Sequence, residues 1–302
     1  MIIQTKVPDM GDPSNILQLF PRYNLQLLCC RYWWLKKWEF KELAYPFWRI
    51  YKNNVPGAFI ISDGKEYELS PDKIIVIAPN TSYSTRIEGN ELPDEGFALE
   101  GGRVDAENKD TSWIKNNCIL HLFIHFNIGL PYDNVLPGVF EFDVTDHINE
   151  KLSVIINHLN VDFAQFSFYA GLAIQALISD LLSSIPESCW DLMSNDYRIL
   201  NVLNYINSHL TTNLSNEYLA GQTKLAPNAF TRLFTQEVGQ SPQRFIRKKR
   251  IDKACVLLHH SEHSIDEISE ETGFANRYHF SRIFKQVTGI SPAKYKKEFG
   301  MK

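Results

Sequence analysis

Two segments of the chain repeat one pattern of aromatic and polar residues. The first reads FTRLF from position 230 and the second reads FSRIF from position 280. At helical spacing the aromatic and aliphatic members face a core, so the arginine and hydroxyl side chains face outward. Arginine pairs well with guanine, asparagine with adenine, and hydroxyl groups with several bases. We therefore predict that eight outward residues contact DNA: Asn228, Thr231, Arg232, Arg277, Tyr278, Ser281, Arg282 and Lys285.

Each segment is predicted to be the second helix of a helix-turn-helix unit. In the second unit Ser264 and Glu267 have the spacing of a capping box, and Gly273 fits the turn. Asn276 is suited to cap the helix that follows. A helix over residues 247–258 is predicted to join the two units and to bury four residues, Ile251, Ala254, Cys255 and Leu258.

Charge is divided unevenly along the chain. Residues 198–302 hold 16 Lys and Arg against 9 Asp and Glu, a net charge of +7, whereas residues 1–197 carry a net charge of −11. A basic C-terminal third in an otherwise acidic chain suggests that this third binds a polyanion. Charge alone does not name the polyanion, because a basic surface is often only a solvated face.

Residues 198–299 resemble the paired helix-turn-helix domain of the AraC/XylS family of bacterial transcription regulators. The resemblance rests on RIDKA at 250–254, SIDEI at 264–268, GF at 273–274, HFSRIFK at 279–285 and GISPAKY at 289–295. It implies that two recognition helices enter successive major-groove segments on one face of DNA, roughly 34 Å apart. It also implies a DNA operator and RNA polymerase as partners.

One departure from the family pattern lies just before the first recognition helix. Ala226 stands where the family usually has a serine cap, which removes about 1 kcal/mol of capping. The residues at positions 228 and 278 vary between family members. The resemblance therefore implies how the DNA is read and leaves the DNA sequence open.

The N-terminal half is predicted to be an all-β barrel of short strands. Asp63-Gly64 is a strong hairpin signal between strands at 58–62 and 65–69. Further strands are predicted at 46–51, 73–78, 119–128 and 139–144, and a long polar loop is predicted at 88–115. The region is similar, more loosely, to the cupin-like effector domain of the same family. KEYEL at 65–69, the strand that ends at Pro79 and His125-Phe126 carry this likeness.

Two helices are predicted after the barrel, at residues 146–159 and 163–182. The second is apolar over much of its circumference, so it needs more than one partner surface. Packing on the barrel and a dimer interface both meet that need, and both remain open.

The predicted fold is multidomain, with an all-β cupin-like barrel that has two appended helices and an all-α double helix-turn-helix domain. The expected boundaries are 1–184 for the effector-binding and dimerisation domain, 185–196 for a linker and 197–302 for the DNA-binding domain.

Aromatic residues and one arginine of the barrel are the candidates for binding a small molecule. We predict that Trp33, Trp48, Arg49 and Tyr51 contact an effector, although aromatic side chains often only fill a core. Arg49 lies in an aromatic strand and needs a partner such as a ligand hydroxyl or carboxylate, unless its side chain extends to the surface. The aromatic barrel and the habits of the family together favour a sugar.

Metal binding and catalysis are not expected. His121 and His125 share one face of a predicted strand, but no His-x-His pair is followed closely by a glutamate, and Tyr83 stands where many cupins have a histidine. No Ser/His/Asp grouping or phosphate-binding glycine loop stands out. The five cysteines lack metal-ligand spacing and are expected to be reduced thiols. We predict neither a cofactor nor a metal site.

The sequence therefore predicts a sequence-specific DNA-binding transcriptional regulator, an effector-responsive activator of carbohydrate-utilisation genes. Two alternatives remain, a ligand-independent regulator whose N-terminal domain only dimerises and a cupin-type metalloenzyme fused to a DNA-binding tail. Repression in place of activation also stays open. The expected partners are a DNA operator, a small effector such as a sugar, RNA polymerase and a second copy of the chain.

Two sequence features bear on location. The chain has no run of about 18 apolar residues, so we expect no membrane-spanning helix. The first ten residues, MIIQTKVPDM, lack the apolar core of a signal peptide. A cytoplasmic location is therefore expected.

Overall fold

The N-terminal part of the chain is a nearly closed antiparallel β barrel. The computed structural model describes residues 23–94, 97–104, 118–129, 131–162, 165–190 and 196–299. Within these residues the strands are β1 (Gln26–Leu43), β2 (Trp48–Asn53), β3 (Ala58–Ser62), β4 (Lys65–Leu69), β5 (Lys73–Ile77), β6 (Tyr83–Ile87), β7 (Phe97–Arg103), β8 (Ile119–Asn127) and β9 (Val139–Asp143). They hydrogen-bond in the order β4-β3-β6-β1-β8-β2-β5-β9, and β7 pairs with β1.

Two local predictions about the barrel are confirmed. β3 and β4 form the expected hairpin, and the turn residues Asp63 and Gly64 have positive φ angles of 49° and 75°. The alternation of β8 is also present, because one of its faces packs on helices outside the barrel and the other faces the interior. Successive residues of a strand point to opposite faces of the sheet, so this alternation decides which side chains can reach a ligand.

The predicted loop at 88–115 is wrong in part, because it contains strand β7. This strand pairs with β1 along its whole length. Gly101 and Gly102 are typical of a loop, so the sequence did not predict this strand. The structure requires glycine at both positions because β1 lies so close to them. A Cβ at Gly101 would collide with the backbone oxygen of Trp34, and a Cβ at Gly102 would lie 2.8 Å from the indole nitrogen of that residue. Residues 105–117 lie outside the described part of the chain.

Two helices pack on the outer face of the barrel. α1 (Asp146–Leu159) and α2 (Phe168–Ser183) begin at N-cap side chains, Thr145 and Ser167, that accept hydrogen bonds from backbone N–H groups. Their apolar faces share one core with the outward face of the barrel, including Leu152, Ile155, Ile174, Leu177, Trp48, Ile50, Ile124 and Phe126. α2 begins later than the predicted residue 163, and residues 163–164 are not among those described.

The C-terminal part is all-α. Its helices are α3 (Tyr197–Ser208), α4 (Asn216–Thr223), α5 (Pro227–Val238), α6 (Pro242–His260), α7 (Ile265–Glu271), α8 (Arg277–Thr288) and α9 (Pro292–Phe299). α6 is longer than the predicted 247–258, because Pro242 occupies the first helical position after Ser241. Among the helices of the described residues, none combines the length and apolar character needed to cross a membrane.

The two helix-turn-helix units have different cores. The first unit has a core of its own, which includes Ile199, Leu203, Phe230, Phe234 and Phe245. The core of the second unit is continuous with the barrel interior, because Leu258, Phe280, Phe284 and Tyr295 cluster with Tyr45, Phe47 and Tyr51. The barrel therefore packs directly on the second unit.

Candidate DNA-binding surface and effector cavity

The predicted recognition helices are α5 and α8, and each buries one aromatic side. Phe230 and Phe234 of α5 are fully buried, as are Phe280 and Phe284 of α8. Burial of these rings fixes the rotation of each helix about its axis, so the opposite face is open to solvent. The structure therefore confirms that the rings of the pattern repeated at positions 230 and 280 face a core.

The first predicted set of DNA-contacting residues lies on the open face of α5. Asn228 and Arg232 are exposed and Thr231 is half-buried. The hydroxyl of Thr231 donates a hydrogen bond of 2.9 Å to a backbone oxygen in the first turn of its own helix. Asn228 and Arg232 are therefore the more accessible members of this set.

The second predicted set lies on α8. Arg277, Tyr278, Arg282 and Lys285 are exposed and Ser281 is half-buried. Tyr278 has 86% of its surface exposed. Arg277 forms a 3.0 Å ion pair with an exposed aspartate of α7. An exposed pair of this kind contributes little stability, so a phosphate can replace the carboxylate.

The turn of the second unit also fixes the two units relative to each other. Gly273 has a φ angle of 75°, and a Cβ there would collide with the backbone oxygen of Leu210 in the first unit. Arg250 of α6 donates hydrogen bonds to the backbone oxygens of Leu210 at 2.9 Å and Thr212 at 3.0 Å. The joining helix therefore holds the α3–α4 loop against the turn that leads into α8.

A cavity of about 450 Å³ lies inside the barrel. Three of the four predicted effector-binding residues, Trp33, Arg49 and Tyr51, are in its wall, together with Trp38 and Tyr83. The hydroxyl oxygens of Tyr51 and Tyr83 lie 3.2 Å apart and form a hydrogen bond. Burial raises the pKa of both tyrosines, so they are neutral hydrogen-bonding groups. The wall is thus aromatic with a few polar atoms.

Trp48, the fourth predicted residue, lies outside the cavity. Strand alternation directs it away from Arg49, into the core between the barrel and α1–α2. Its indole N–H donates a 3.1 Å hydrogen bond to Asp133. Burial raises the pKa of Asp133 to about 6 against the opposing effect of its hydrogen bonds. The structure therefore gives Trp48 a packing environment and separates it from the other three residues.

Arg49 is a buried cation in the cavity wall. It is 1% exposed, and neither terminal nitrogen has a hydrogen-bond partner among the described residues. Its guanidinium carbon lies 3.9 Å from the ring centroid of Tyr45, 4.4 Å from that of Phe47 and 5.3 Å from that of Tyr83. The described residues that line the cavity include no Asp or Glu. The site therefore favours an anionic group.

Histidines form the polar part of the cavity wall. His121 and His125 share the inward face of β8, as predicted. His121 lies 2.7 Å from the side-chain oxygen of Asn53, and burial lowers its pKa to about 3. Burial lowers the pKa of His125 well below its usual value, and the nearby His260 and Arg49 add to this effect. Both rings are therefore neutral at pH 7.

One group of described residues could hold a metal ion. Cys29, His125 and His260 each offer one ligand atom, and these atoms lie within 4.8 Å of one another. His121 is not part of this group. The absence of a metal site remains a prediction.

Known proteins resemble the helical part of the chain most clearly. Residues 219–298 match the family model described as a helix-turn-helix domain. The chain is 32% identical over 121 residues to the HTH-type transcriptional activator RhaS of Salmonella arizonae, covering 40% of this chain and 42% of RhaS. These matches show that the helical part of the chain contains a helix-turn-helix domain. It matches less than half the length of these curated relatives.

Solved structures are similar to this chain over different spans. The C-terminal domain of AraT, a response regulator from Geobacillus stearothermophilus, is 30% identical and covers 35% of this chain and 89% of its own, with a TM-score of 0.35. Unsaturated fatty acid bound ToxT from Vibrio cholerae is 15% identical and covers 94% of this chain and all of its own, with a TM-score of 0.49.

The departure from the AraC/XylS pattern at Ala226 is visible in the structure. α5 begins without a side-chain hydrogen bond at its N-cap, whereas Asn276 accepts a 2.9 Å hydrogen bond from the backbone N–H of His279 at the start of α8. The predicted capping box of Ser264 and Glu267 is present at the start of α7. Local capping is therefore stronger in the second unit.

Three residues of the cavity wall come from the helical part of the chain, which the sequence analysis did not connect with the effector site. His259 and His260 come from the end of α6, and Lys297 comes from α9. They reach the barrel because the second unit packs on it, a contact between segments more than 130 residues apart. Polar residues at the end of an amphipathic helix ordinarily face solvent, so no local signal identifies them.

Proposed function

We propose that this chain is a sequence-specific DNA-binding transcription activator with a small-molecule site in its barrel. The carrying observation is the pair of recognition helices, which expose Arg232 and Arg282 at equivalent positions of two similar units. The net charge of +7 over residues 198–302 supports attraction to phosphates. Activation is proposed because RhaS, which 121 residues resemble, is a transcriptional activator. RNA polymerase is the proposed partner at the promoter.

Selection of bound sequences from random double-stranded DNA tests the DNA-binding part. The wild-type chain should enrich one sequence with two preferred blocks about one helical turn apart, since two linked recognition helices sample successive major-groove segments. Affinity should fall steeply with salt, because phosphate contacts release counter-ions. Failure to enrich any sequence at low salt would contradict the proposal.

The cavity is proposed to bind an effector that carries a carboxylate or a comparable anionic group, and sugar acids are the first candidates. Arg49 supports the anionic group, because its charge is buried and its terminal nitrogens have no hydrogen-bond partner among the described residues. Trp33, Trp38 and Tyr51 support a sugar, because aromatic walls suit the apolar face of a sugar ring. Control of carbohydrate-utilisation genes follows from such an effector.

Thermal unfolding of the full chain with sugar acids and their neutral parent sugars tests the effector. A ligand at 100 times its Kd should stabilise the barrel by about 2.7 kcal/mol. Arg49→Met should abolish the response, whereas Trp48→Phe, outside the cavity, should keep it. A response that survives Arg49→Met would remove the anion assignment. A blank across the library would favour the ligand-independent regulator.

The proposed architecture keeps the predicted division into residues 1–184, 185–196 and 197–302, with a homodimer formed through the first part. The start of α3 at Tyr197 and the separate core of the first unit support the second boundary. α2 supports the dimer, because Phe168, Tyr169 and Leu172 are 76%, 78% and 45% exposed. Sedimentation should show a dimer for the wild-type chain and a monomer for the Phe168→Glu, Tyr169→Glu variant.

A further inference from the structure

Three side chains at the junction of the barrel and α6 form a compact group of sulfur and nitrogen donors. Cys29 lies on β1, His125 on β8 and His260 in the last turn of α6, and their donor atoms are within 4.8 Å of one another. Cys29 and His125 are directly opposite each other in the β1–β8 ladder. Opposite residues of an antiparallel pair project side by side from the same face. α6 then brings His260 to this pair.

The two histidines already have the spacing of ligands to a shared ion. Nδ1 of His125 and Nε2 of His260 are 3.4 Å apart. Two nitrogens that each lie about 2.0 Å from one ion, at an angle between tetrahedral and trigonal, are separated by about this distance. The other ring nitrogens, Nε2 of His125 and Nδ1 of His260, have no hydrogen-bond partner among the described residues. Either nitrogen of each ring is therefore available to an ion.

The chemistry of the donors sets the proton balance of binding. An imidazole binds a metal ion in its neutral form, and a cysteine binds it as the thiolate. The Cys29 thiol must therefore release one proton when its sulfur binds an ion.

The charge of the site selects the kind of ion. One thiolate and two neutral imidazoles carry a single negative charge, so a monovalent ion gives a neutral complex. A divalent ion would leave a net positive charge in a buried site close to two arginines, which is unfavourable. A thiolate with imidazoles suits copper(I), and three protein ligands fall short of the four that structural zinc sites use.

We propose that Cys29, His125 and His260 form a binding site for a soft monovalent cation of the copper(I) and silver(I) class. The ion would be held by two strands of the barrel and by the last turn of α6. Binding would therefore fix the second helix-turn-helix unit against the barrel. Two of its ligands, His125 and His260, also line the effector cavity, but Arg49 is not among the three donors.

Titration of the reduced full-length chain with silver(I) tests this site, because silver(I) undergoes no redox change under these conditions. We expect one ion per chain to bind in competition with a chelator, with release of about one proton and a rise in the thermal unfolding temperature. Anaerobic copper(I) should give the same stoichiometry. Zinc(II) should bind at least tenfold more weakly than copper(I) at matched chelator strength.

Ligand and control variants locate the ion. Cys29→Ser and His260→Gln should each weaken binding at least tenfold and abolish the thermal shift. Cys30→Ser and His259→Gln are the controls, since Cys30 belongs to the core on the other face of the sheet and His259 is outside the donor group. Cys118, Cys189 and Cys255 remain in every variant. If Cys29→Ser does not fold, as judged by circular dichroism, the loss of ion binding in His260→Gln tests the site.

Three results would overturn the proposal. The first is that the chain binds neither silver(I) nor copper(I) in the presence of the chelator. The second is that Cys30→Ser or His259→Gln weakens binding as much as the ligand variants do. The third, zinc(II) binding as tightly as copper(I), would overturn the choice of a monovalent ion.

Discussion

The two helix-turn-helix units share a sequence pattern but differ in what they pack against. The first closes a core of its own, whereas the second shares a core with the barrel. Tyr45 of the barrel and Tyr295 of α9 have ring centroids 6.5 Å apart, and Phe47 lies 5.3 Å from His260 by the same measure. The core of the second unit is therefore continuous with the barrel interior, whereas the core of the first unit is separate from it.

The units also differ in their local backbone signals. The turn of the second unit uses Gly273 at a φ angle of 75°, and the corresponding turn of the first unit uses Lys224 at 57°. A side chain in this left-handed region is strained, so the first turn is the less favourable one. α5 lacks the N-cap that Asn276 gives α8. Equivalent recognition surfaces can therefore rest on units of different local stability and different attachment.

The largest expected effect comes from truncating equivalent core rings. Phe234→Ala and Phe284→Ala should each lower the free energy of unfolding by about 3–5 kcal/mol, because both rings are fully buried. Only Phe284→Ala should also raise hydrogen exchange in β1 and β2, since only its core continues into the barrel. Urea unfolding and hydrogen exchange of the full chain measure these effects. Equal exchange in the barrel for both variants would remove the distinction between the units.

A smaller effect is expected from acid at the junction of the barrel and the second unit. The folded-state pKa of His260 is lowered to about 3, mainly by burial. The unfolded chain therefore binds more protons below pH 6.5, and stability falls as the pH falls from 6.5 toward 3. For His260 the loss at pH 5 is about 2 kcal/mol.

Urea unfolding at pH 7 and pH 5 measures this loss. The wild-type chain should lose more stability between the two pH values than His260→Gln does, because glutamine has no proton to gain. Identical losses in the two proteins would show that His260 does not contribute to the pH dependence.

The smallest expected effects come from substitutions at the N-caps of the two recognition helices. Ala226→Ser should raise the free energy of unfolding of the first unit by about 1 kcal/mol, and Asn276→Ala should lower that of the second by about the same amount. Ala275→Ser, next to the cap, is the control and should change little. Hydrogen exchange at the start of α5 and α8 reports each change. An unchanged α5 in Ala226→Ser would mean that capping does not limit this helix.

The sequence predicts those parts of the molecule whose signals are local. The turn at Asp63-Gly64, the capping box at Ser264 and the buried rings of α5 and α8 each depend on neighbours within a few residues. Strand β7 was missed because glycines required by close packing on β1 read as a loop in isolation. The repeated pattern at positions 230 and 280 predicted the two units, and the resemblance to a family added the way in which they read DNA.

The cavity is harder to predict because its wall comes from distant segments. Arg49 and Trp48 are adjacent in one strand, so their side chains lie on opposite faces of the sheet. The sequence does not say which face lines the cavity, and the structure shows that it is the face of Arg49. His259 and His260 reach the cavity through the packing of the second unit on the barrel, which depends on the tertiary arrangement. The donor group of Cys29, His125 and His260 has no sequence spacing that could reveal it.

The most direct test of the account is binding to the selected operator by single arginine variants. Arg232→Ala and Arg282→Ala should each weaken binding by about 5- to 150-fold, the effect of one lost base contact of about 1–3 kcal/mol. Arg86→Ala removes the same charge from the barrel, where Arg86 pairs with Glu66 at 3.0 Å, and should bind as the wild-type chain does. If Arg282→Ala, folded as judged by its unfolding transition, binds the operator as tightly as Arg86→Ala, the account of the recognition helices is contradicted.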